Sequence, residues 1–395
     1  MILALLSCEK EDNIDKENDN WFKIFTSGNS LSKVIKDWDD SYVLAGNVNV
    51  YNTTESFVMK LDNSGNSIWE SSFGSNGFDN VIDVVKTAPE YLTAGYTMNE
   101  DNNIKNFLVA SIDIRGNVHW RKNYYRGIAN SVIWAYSEDY SGEYYNYTGD
   151  YLVGGTFEVF DSVNGYYRNN LSVLKIDNQG DIIWQFIHSD ETNCYDIVRD
   201  SDDSYMIVGD FMDSQYLNSS VFLLKLDSKG KKVWEKHLLL RENSNMTFDR
   251  AKVVLKVNDG FLIGANSDVN NYFENAGYII KISSQGDVIW KKKLSDNFEL
   301  TDIVVYGNNY FAVGKELDES KRDFKTKLIK TDKDGNVIGL KSTFLNQENY
   351  DDNTSSILID NEYLILGGNA TDDGYNRYLY LKKIKIDEIE TWIAE

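Results

Sequence analysis

The sequence is poor in the residues that most often carry metal or redox chemistry. Of 395 residues only two are cysteines, Cys8 and Cys194, and three are histidines. The histidines, His119, His188 and His237, stand too far apart for the short ligand spacing of a metal site. No basic residue adjoins Cys194, so its neighbours in sequence do not activate the thiol. We therefore expect no metal and no cofactor.

Proline, long apolar runs and positive charge are also scarce. A single proline against 27 glycines argues against a disordered or collagen-like chain. No segment reaches the roughly 18 uninterrupted apolar residues that a membrane-spanning helix needs. The 40 basic residues are outnumbered by 62 acidic residues, which gives a net charge of −22. A field of that sign repels phosphate backbones and favours solubility, so nucleic acid is not an expected partner.

The first residues have the order of an exported lipoprotein. An apolar stretch ends at Leu5-Leu6-Ser7-Cys8, which resembles the lipobox of bacterial lipoproteins, where the cysteine is diacylated after cleavage. The run after Cys8, Glu-Lys-Glu-Asp, resembles the surface-export signal of Bacteroidetes lipoproteins. No Lys or Arg precedes Cys8, so the basic start of a signal peptide is missing, and an ordinary frayed terminus is the alternative.

These features predict three segments. Residues 1–8 are expected to be a partial lipoprotein signal with lipidation at Cys8, and residues 9–20 an acidic flexible tether. Residues 21–395 would then form the folded body. The expected location is the bacterial outer membrane or cell surface, and the only membrane contact would be the lipid anchor.

Two short patterns recur along the body of the chain. The first is Asp-x-x-Gly with Trp seven residues after the Asp, as in Asp62, Gly65 and Trp69. Asp and Gly suit a tight hairpin turn because Gly accepts the positive φ that the turn requires. We interpret the Trp as packing between neighbouring repeats. Other copies begin at Asp113, Asp177 and Asp227, and weaker ones have Ser283 for Asp, Leu340 for Trp, or Asp387 and Trp392 without Gly.

The second pattern is an aromatic residue, apolar residues and then Gly. Its copies end at Gly46, Gly95, Gly155, Gly209, Gly264, Gly314 and Gly367. Together the patterns describe a unit of four strands, and repeated four-stranded meanders are typical of β-propeller blades, whose ring closure protects the strand edges. The sequence thus predicts an all-β fold, a seven-bladed β-propeller of four-stranded antiparallel blades, forming one domain and a monomer. Residues 21–25 match the fourth strand of a unit and could complete the last blade, with the segment of Trp392 as the competing strand.

The repeats carry a family resemblance. The stretch from Trp69 to Trp120, which includes Phe73-Gly74-Ser75-Asn76-Gly77-Phe78-Asp79, resembles the bacterial seven-bladed β-propeller repeat of the SBBP type. In decaying copies the resemblance covers residues 21–395. It implies the propeller fold and an extracytoplasmic setting, without a defined activity.

Candidate binding residues lie in the loops that the repeat does not specify. In a propeller the loops after the second and fourth strands share one face, and here they are long and aromatic. Aromatic rings beside amide and charged groups suit stacking on a sugar or contact with a protein. The ligand-binding candidates are Phe78, Tyr125, Arg126, Tyr166, Tyr167, Arg168, Phe211, Tyr216, Tyr272, Phe273, Tyr375 and Arg377. An aromatic insertion, residues 134–150, belongs to the opposite face.

A second set of residues aligns at the start of each first strand. These positions carry Lys33, Asp83, Ser131, Asp196, Lys252, Asp302 and Ser356. One interpretation is that these residues form the polar lining of the central channel of the propeller. The alternative is that Asp83, Asp196 and Asp302 perform acid–base chemistry on a glycosidic bond. Three hypotheses follow: a non-catalytic surface lipoprotein that binds a glycan or a protein partner, a propeller glycoside hydrolase or lyase, and a structural scaffold.

Overall fold

The structure is a computed structural model. It describes residues 20–75, 77–87, 89–98, 104–135, 138–141, 144–147, 149–162, 164–213, 218–241, 247–269, 275–318, 323–343, 351–371 and 376–390. Nearly all of this is β structure, and across these ranges no helix is long and apolar enough to cross a membrane. The predictions for Cys8, Tyr216, Tyr272, Phe273, Tyr375 and Trp392 fall outside the described residues.

The chain runs through short strands joined mainly by tight turns. In order they are β1 (Trp21–Phe25), β2 (Ser30–Lys36), β3 (Tyr42–Val50), β4 (Thr53–Leu61), β5 (Ser67–Phe73), β6 (Asn80–Lys86), β7 (Glu90–Met98), β8 (Lys105–Asp113), β9 (Val118–Trp134), β10 (Glu138–Ser141), β11 (Tyr144–Tyr147), β12 (Tyr151–Asp161), β13 (Tyr166–Ile176), β14 (Ile182–Ile187), β15 (Thr192–Arg199), β16 (Tyr205–Asp213), β17 (Asn218–Leu226), β18 (Lys232–Leu238), β19 (Thr247–Val257), β20 (Gly260–Val269), β21 (Asn275–Ile282), β22 (Val288–Asp296), β23 (Phe298–Tyr306), β24 (Asn309–Asp318), β25 (Asp323–Thr331), β26 (Val337–Thr343), β27 (Asp351–Asp360), β28 (Tyr363–Thr371) and β29 (Arg377–Lys385), followed by helix α1 (Ile386–Glu390).

Nearly all of the pairing is antiparallel between chain neighbours. Strands β2 to β5 form one sheet and β23 to β26 another, while β27, β28 and β29 take β1 as their fourth strand. Strands β6 to β9 and β12 to β14 share a larger sheet because β9 pairs with β8 up to Arg126 and with β12 from Gly127. Strands β15 to β22 share another, joined between β17 and β19 by a single parallel pair, Ser219 with Phe248. Strands β10 and β11 form a separate hairpin within the aromatic insertion.

The first strands of these meanders contact one another in a closed circle. In order they are β2, β6, β9, β15, β19, β23 and β27, and β27 contacts β2 again. We call this set the inner circle. The predicted role of residues 21–25 is confirmed, since Trp21 to Phe25 pair with Lys383 to Leu379 of β29. The last meander therefore contains both ends of the described chain.

Buried aspartates join successive meanders at one end of the sheets. Asp360, at the end of β27, accepts hydrogen bonds from Lys36 and from the Tyr42 hydroxyl of the next meander. Asp37 accepts a hydrogen bond from Lys60 of its own meander, at 2.8 Å, and another from the Tyr91 hydroxyl of the next meander. A buried carboxylate with charged and hydroxyl donors is held in place by them. In these two meanders the tyrosine of the second sequence pattern therefore holds the aspartate of the preceding meander through its hydroxyl.

The tryptophans pack between adjacent meanders, as the sequence predicted. Trp69 donates its indole N–H to the carbonyl of Ile114 at 3.0 Å and lies against Gly116 in the next meander's turn. The same contact joins Trp120 to Gly180 and Trp184 to Gly230. The last copy of the pattern differs: Asp387 lies in α1 and not in a hairpin turn, because no glycine follows to take positive φ.

Candidate functional site

The candidate site is the end of the sheets at which the inner strands begin. We call this end the loop face. Because pairing is antiparallel, the ends of the second strands and the starts of the third strands lie there too. The β12–β13 hairpin extends this face: its ladder continues to Asp161 with Tyr166, so residues 166–170 are strand and not the loop that the sequence predicted. The hairpin turn lies between Asp161 and Tyr166.

Every inner strand has a β-bulge, which lies near the start of the strand except in β9, where it follows the change of partner at Gly127. In each, one residue is skipped in the pairing register, as between Val81 and Asp83 of β6 or Cys194 and Asp196 of β15. A bulge redirects side chains and is common beside functional sites. The skipped residues are Ser32, Ile82, Asn130, Tyr195, Lys252, Thr301 and Ser355, and the residues that follow them are Lys33, Asp83, Ser131, Asp196, Val253, Asp302 and Ser356.

We call the second of these sets the inner ring. It corrects one sequence assignment: Lys252 is a bulge residue, and Val253 occupies the position aligned with the aspartates. The error arose because the glycine of the second pattern is offset by one residue in this meander: Ala265, and not Gly264, pairs with the residue before the bulge, a position that Gly46 and Gly95 hold in theirs. The other six assignments agree with the register.

The three ring aspartates join neighbouring inner strands. Asp83 Oδ2 accepts a hydrogen bond from the backbone N–H of Val132 at 2.8 Å, and Asp196 Oδ2 accepts one from Val254 at 2.8 Å. Asp302 does the same with Ile357 at 3.1 Å. In each case the other carboxylate oxygen accepts the N–H of the next residue in its own strand. All three carboxylates are thus engaged in structural hydrogen bonds.

One lysine balances part of the charge in the ring. Lys33 Nζ lies 3.5 Å from Asp302, and 35% of its side-chain surface stays accessible to solvent. The carboxylate of Asp302, with those of Asp83 and Asp196, raises the pKa of Lys33. Burial raises the pKa of Asp83, and it raises that of Asp196 to about 7 even though Lys33 and the Val254 N–H oppose the shift. Solvent reaches the ring, whose three aspartates outnumber its lysine.

The first surface group of the loop face is aromatic. We call Arg126, Glu158, Phe160, Tyr166 and Tyr167 the aromatic sector. Phe160 and Tyr167 are cross-strand partners with ring centroids 5.1 Å apart, and 54% and 47% of their surfaces are exposed. The Arg126 guanidinium lies 3.8 Å from the Tyr167 ring centroid and donates to Glu158 at 3.0 and 2.8 Å. The sector combines exposed rings with fixed polar groups.

A second group consists mainly of amides. We call Asn29, Asn47, Asn49, Asn80 and Arg377 the amide sector. Asn49 donates to Asn29 at 3.0 Å, Asn29 to Asn47 at 3.1 Å, and Asn47 to Asn80 at 3.1 Å. A cleft of about 530 Å³ lies beside them, lined by Asn29, Asn49 and Arg377 among others. Among the described residues, Arg377 has no ion-pair partner, so its guanidinium is open to the cleft.

The third group is charged and comes from β15, β16, β19, β20 and β23. We call Tyr195, Asp210, Arg250, Lys252, Asp268 and Glu299 the charged sector. The Tyr195 hydroxyl donates to Asp210 at 3.4 Å, and the Lys252 ammonium lies 4.9 Å from the Tyr195 ring centroid. Burial raises the pKa of Asp210, whereas burial and the nearby Arg250 lower the pKa of Lys252.

The aromatic and charged sectors are continuous. Thr156, on the same strand as Glu158, donates to Asn193 at 3.3 Å. Asn193 donates to Asp210 at 2.7 Å, and Asp210 also accepts from Tyr195. One hydrogen-bonded path therefore leads from the β12–β13 hairpin to the base of the charged sector.

The structure brings some predicted binding residues together and separates others. Tyr166, Tyr167, Arg168 and Arg126 gather at the β12–β13 hairpin, where Arg168 pairs with Asp161 at 2.9 Å.

The remaining predictions lie apart from this hairpin tip. Tyr125 packs on Phe157 with ring centroids 4.7 Å apart, and Phe211 packs on His237 at 4.6 Å. Phe78 lies in an isolated bridge with Thr54, and Arg377 belongs to the amide sector.

The charged sector was not predicted as a site. One signal was present, because Asp210 directly follows Gly209 of the second pattern, just as Asn47 follows Gly46. Residues in that position reach the loop face in several meanders. In the described residues no group of three or more His, Cys, Asp or Glu side chains is arranged to hold a metal ion.

No protein-family model matches the sequence, and no curated protein matches it. Solved structures do match, and they are β-propeller-like proteins.

Three of these solved structures cover most of the chain. The polysaccharide lyase Uly1 has a TM-score of 0.51 at 10% identity, over 96% of this chain and 94% of that one. The α-L-arabinofuranosidase arb93a of Fusarium graminearum has 0.51 at 9% identity, over 94% and 99%. Drosophila Plexin A, solved with Semaphorin 1b, has 0.50 at 8% identity, over 92% and 86%. Identities this low show the fold alone.

Proposed function

We propose that this chain is a seven-bladed β-propeller that binds a glycan on its loop face without transforming it. In this proposal each strand of the inner circle begins one four-stranded blade, β9 serves two blades, and β1 completes the last one. The body would be one domain and a monomer, displayed at a bacterial outer surface by a lipid on Cys8. The closed order of inner-strand contacts and the β1–β29 pairing support this ring.

The observation that carries the function is the exposed pair Phe160 and Tyr167. Both rings stay about half exposed at the end of a hairpin that the structure extends beyond its neighbours. The Arg126 guanidinium makes a cation–π contact with one side of the Tyr167 ring. Two hydrogen bonds from the guanidinium to Glu158 hold it in that position. Preorganised rings beside fixed hydrogen-bonding groups are suited to stack on sugar rings and to bind hydroxyl groups.

The amide sector supports the same ligand class. Asparagine side chains offer both donors and acceptors, which matches the mixed hydrogen bonding of sugar hydroxyls. Arg377, Asn29 and Asn49 line a cleft of about 530 Å³, within the size range of small-ligand sites. A protein ligand would find little continuous apolar surface in this sector.

The ring aspartates support a binding role over a catalytic one. Asp83, Asp196 and Asp302 each accept backbone hydrogen bonds through both carboxylate oxygens. A general acid or base needs an oxygen that reaches the substrate. Their geometry fits the joining of blades.

A glycoside hydrolase or lyase remains the second candidate. The observation that favours it is Asp196, whose pKa of about 7 suits proton transfer at neutral pH. Two of the structural neighbours are also named as enzymes of glycans. Product release that is abolished in Asp196→Asn would establish this function instead.

A glycan array followed by titration calorimetry tests the proposal. We expect Tyr167→Ala to lower the affinity for the glycan that binds most strongly on the array by about tenfold or more, because loss of an aromatic contact costs roughly 1.5 kcal/mol or more. Tyr306→Ala is the matched control, because Tyr306 is 37% exposed at the opposite end of the sheets. Glycan affinity unaffected by Tyr167→Ala, or no glycan bound at all, contradicts the proposal.

A further inference from the structure

Lys252 is a half-buried cation without an ion-pair partner among the described residues. It is the bulge residue of β19, so it is skipped in the ladder with β20. Its ammonium lies 4.9 Å from the Tyr195 ring centroid. Charged side chains that are withdrawn from water are normally paired, so an unpaired ammonium here requires an explanation.

The carboxylates of the charged sector are already engaged by other groups. Asp268 forms an ion pair with Arg250, and Glu299 pairs with Lys315 at 3.0 Å. Asp210 accepts hydrogen bonds from Asn193 and Tyr195. All three carboxylates of the charged sector are therefore engaged by other groups, and the Lys252 ammonium is left without an ion-pair partner at the loop face.

We propose that the Lys252 ammonium binds the anionic group of an acidic sugar, a carboxylate or a sulfate, within a glycan that the aromatic sector holds. This inference rests on the proposed function and specifies its ligand class. The two sectors are neighbours, because the buried Thr156 and Asp210 link their strands through Asn193 beneath the loop face. One glycan chain that spans both sectors would place stacked sugars at the hairpin and an acidic sugar at Lys252.

The inner ring limits how deep the anion can go. Beyond the bulge residues the ring presents Asp83, Asp196 and Asp302 against the single cation of Lys33. Their net negative charge repels an anion from the channel. The acidic group is thus retained at the level of Lys252, while the neutral part of the glycan lies toward the rim.

The test compares three tetrasaccharides: tetragalacturonate, a sulfated galactose tetrasaccharide and neutral galactotetraose. We expect the wild-type chain to bind at least one acidic probe about tenfold tighter than the neutral one, as a charge-assisted hydrogen bond provides. Lys252→Gln should abolish this preference and leave the neutral affinity unchanged, which also shows that the variant is folded. Lys252→Arg should keep the preference. Lys229→Gln, an exposed lysine at a distant turn, is the control for net charge.

The outcomes separate this inference from the proposed function. Neutral and acidic probes bound equally by the wild type, with Tyr167→Ala weakening both, overturn the acidic-sugar inference alone. An acidic preference that persists in Lys252→Gln also overturns it. If no probe binds, the proposed function fails together with the inference. The acidic probe that shows the preference identifies the anion as carboxylate or sulfate.

Discussion

An alanine at Gly230 would measure how strongly the tryptophan contact between meanders stabilises the fold. Gly230 has φ +77°, and a β-carbon there would lie 2.6 Å from Trp184 Cε3. Ordinary contact begins at 3.4 Å, so the indole would have to retreat by about 0.8 Å, the difference of the two values. Gly165 provides the matched control, because it has φ +76° with nothing within 4 Å of the added carbon.

The two substitutions share the backbone cost and differ in the contact. Left-handed φ costs alanine about 1–2 kcal/mol, partly offset by about 0.4–1 kcal/mol from the stiffer unfolded chain. Forcing a carbon against packed neighbours adds about 1–3 kcal/mol. We therefore expect Gly165→Ala to lower the free energy of unfolding by about 1 kcal/mol or less, and Gly230→Ala by about 2–4 kcal/mol.

Urea unfolding followed by far-ultraviolet circular dichroism gives both free energies, provided that the slopes agree. Combining Gly230→Ala with Trp184→Leu should reduce the glycine penalty to that of Gly165→Ala, because the smaller side chain leaves room. Two glycine variants that agree within about 0.5 kcal/mol would refute the reasoning, since that is the size of ordinary surface effects.

Three further predictions address closure, charge and anchoring. Asp360→Ala removes the buried partner of Lys36 and should lower the free energy of urea unfolding by about 2–4 kcal/mol. Asp40→Ala removes the exposed partner of the same lysine and should lower it by less than about 1 kcal/mol. Equal losses in the two variants would contradict this prediction. Burial raises the pKa of Asp196 to about 7, so its contribution to stability is present at low pH and declines as the pH rises from about 4 to about 7. Over that range the free energy of unfolding of the wild type should therefore fall relative to that of Asp196→Asn. A difference between the two free energies that does not change with pH would contradict this prediction. With a complete signal peptide, the protein should incorporate a palmitate analogue that Cys8→Ser loses; an unlabelled wild type rules the anchor out.

The parts of the fold that local sequence specifies were predicted well. Asp62 and Gly65 mark a turn because the carboxylate accepts nearby backbone N–H groups and the glycine has φ +80°. The strands on either side follow from the repeat, and so does the packing of Trp69 on the next turn. Even the pairing of Trp21 with the last strands was predictable, because residues 21–25 carry the pattern of a fourth strand.

The parts that depend on other meanders were predicted poorly. Lys252 was misaligned because Gly264 is offset by one residue from the glycines of the other meanders, and only the pairing with β19 reveals the offset. Tyr166 and Tyr167 were predicted to be loop residues. They lie in strands of an extended hairpin, whose two faces can both be polar or exposed, so the sequence there does not differ from that of a loop. The charged sector combines Asp210 with Lys252, which come from consecutive meanders, and only the packing of β16 against β19 brings them close together.

The pairing of β1 with β29 also determines when the fold can be completed during synthesis. Of the described strands, β1 (Trp21 to Phe25) is synthesised first, and β29, which contains its partners Leu379 to Lys383, is synthesised last. Until then β1 presents an unpaired edge, and so does the growing end of the circle. Exposed edges invite pairing with other chains, so a nascent or truncated chain that lacks β29 is at risk of exchanging strands with a neighbour. The β1–β29 pairing that completes the fold is therefore also the place where strands of two molecules can pair with each other.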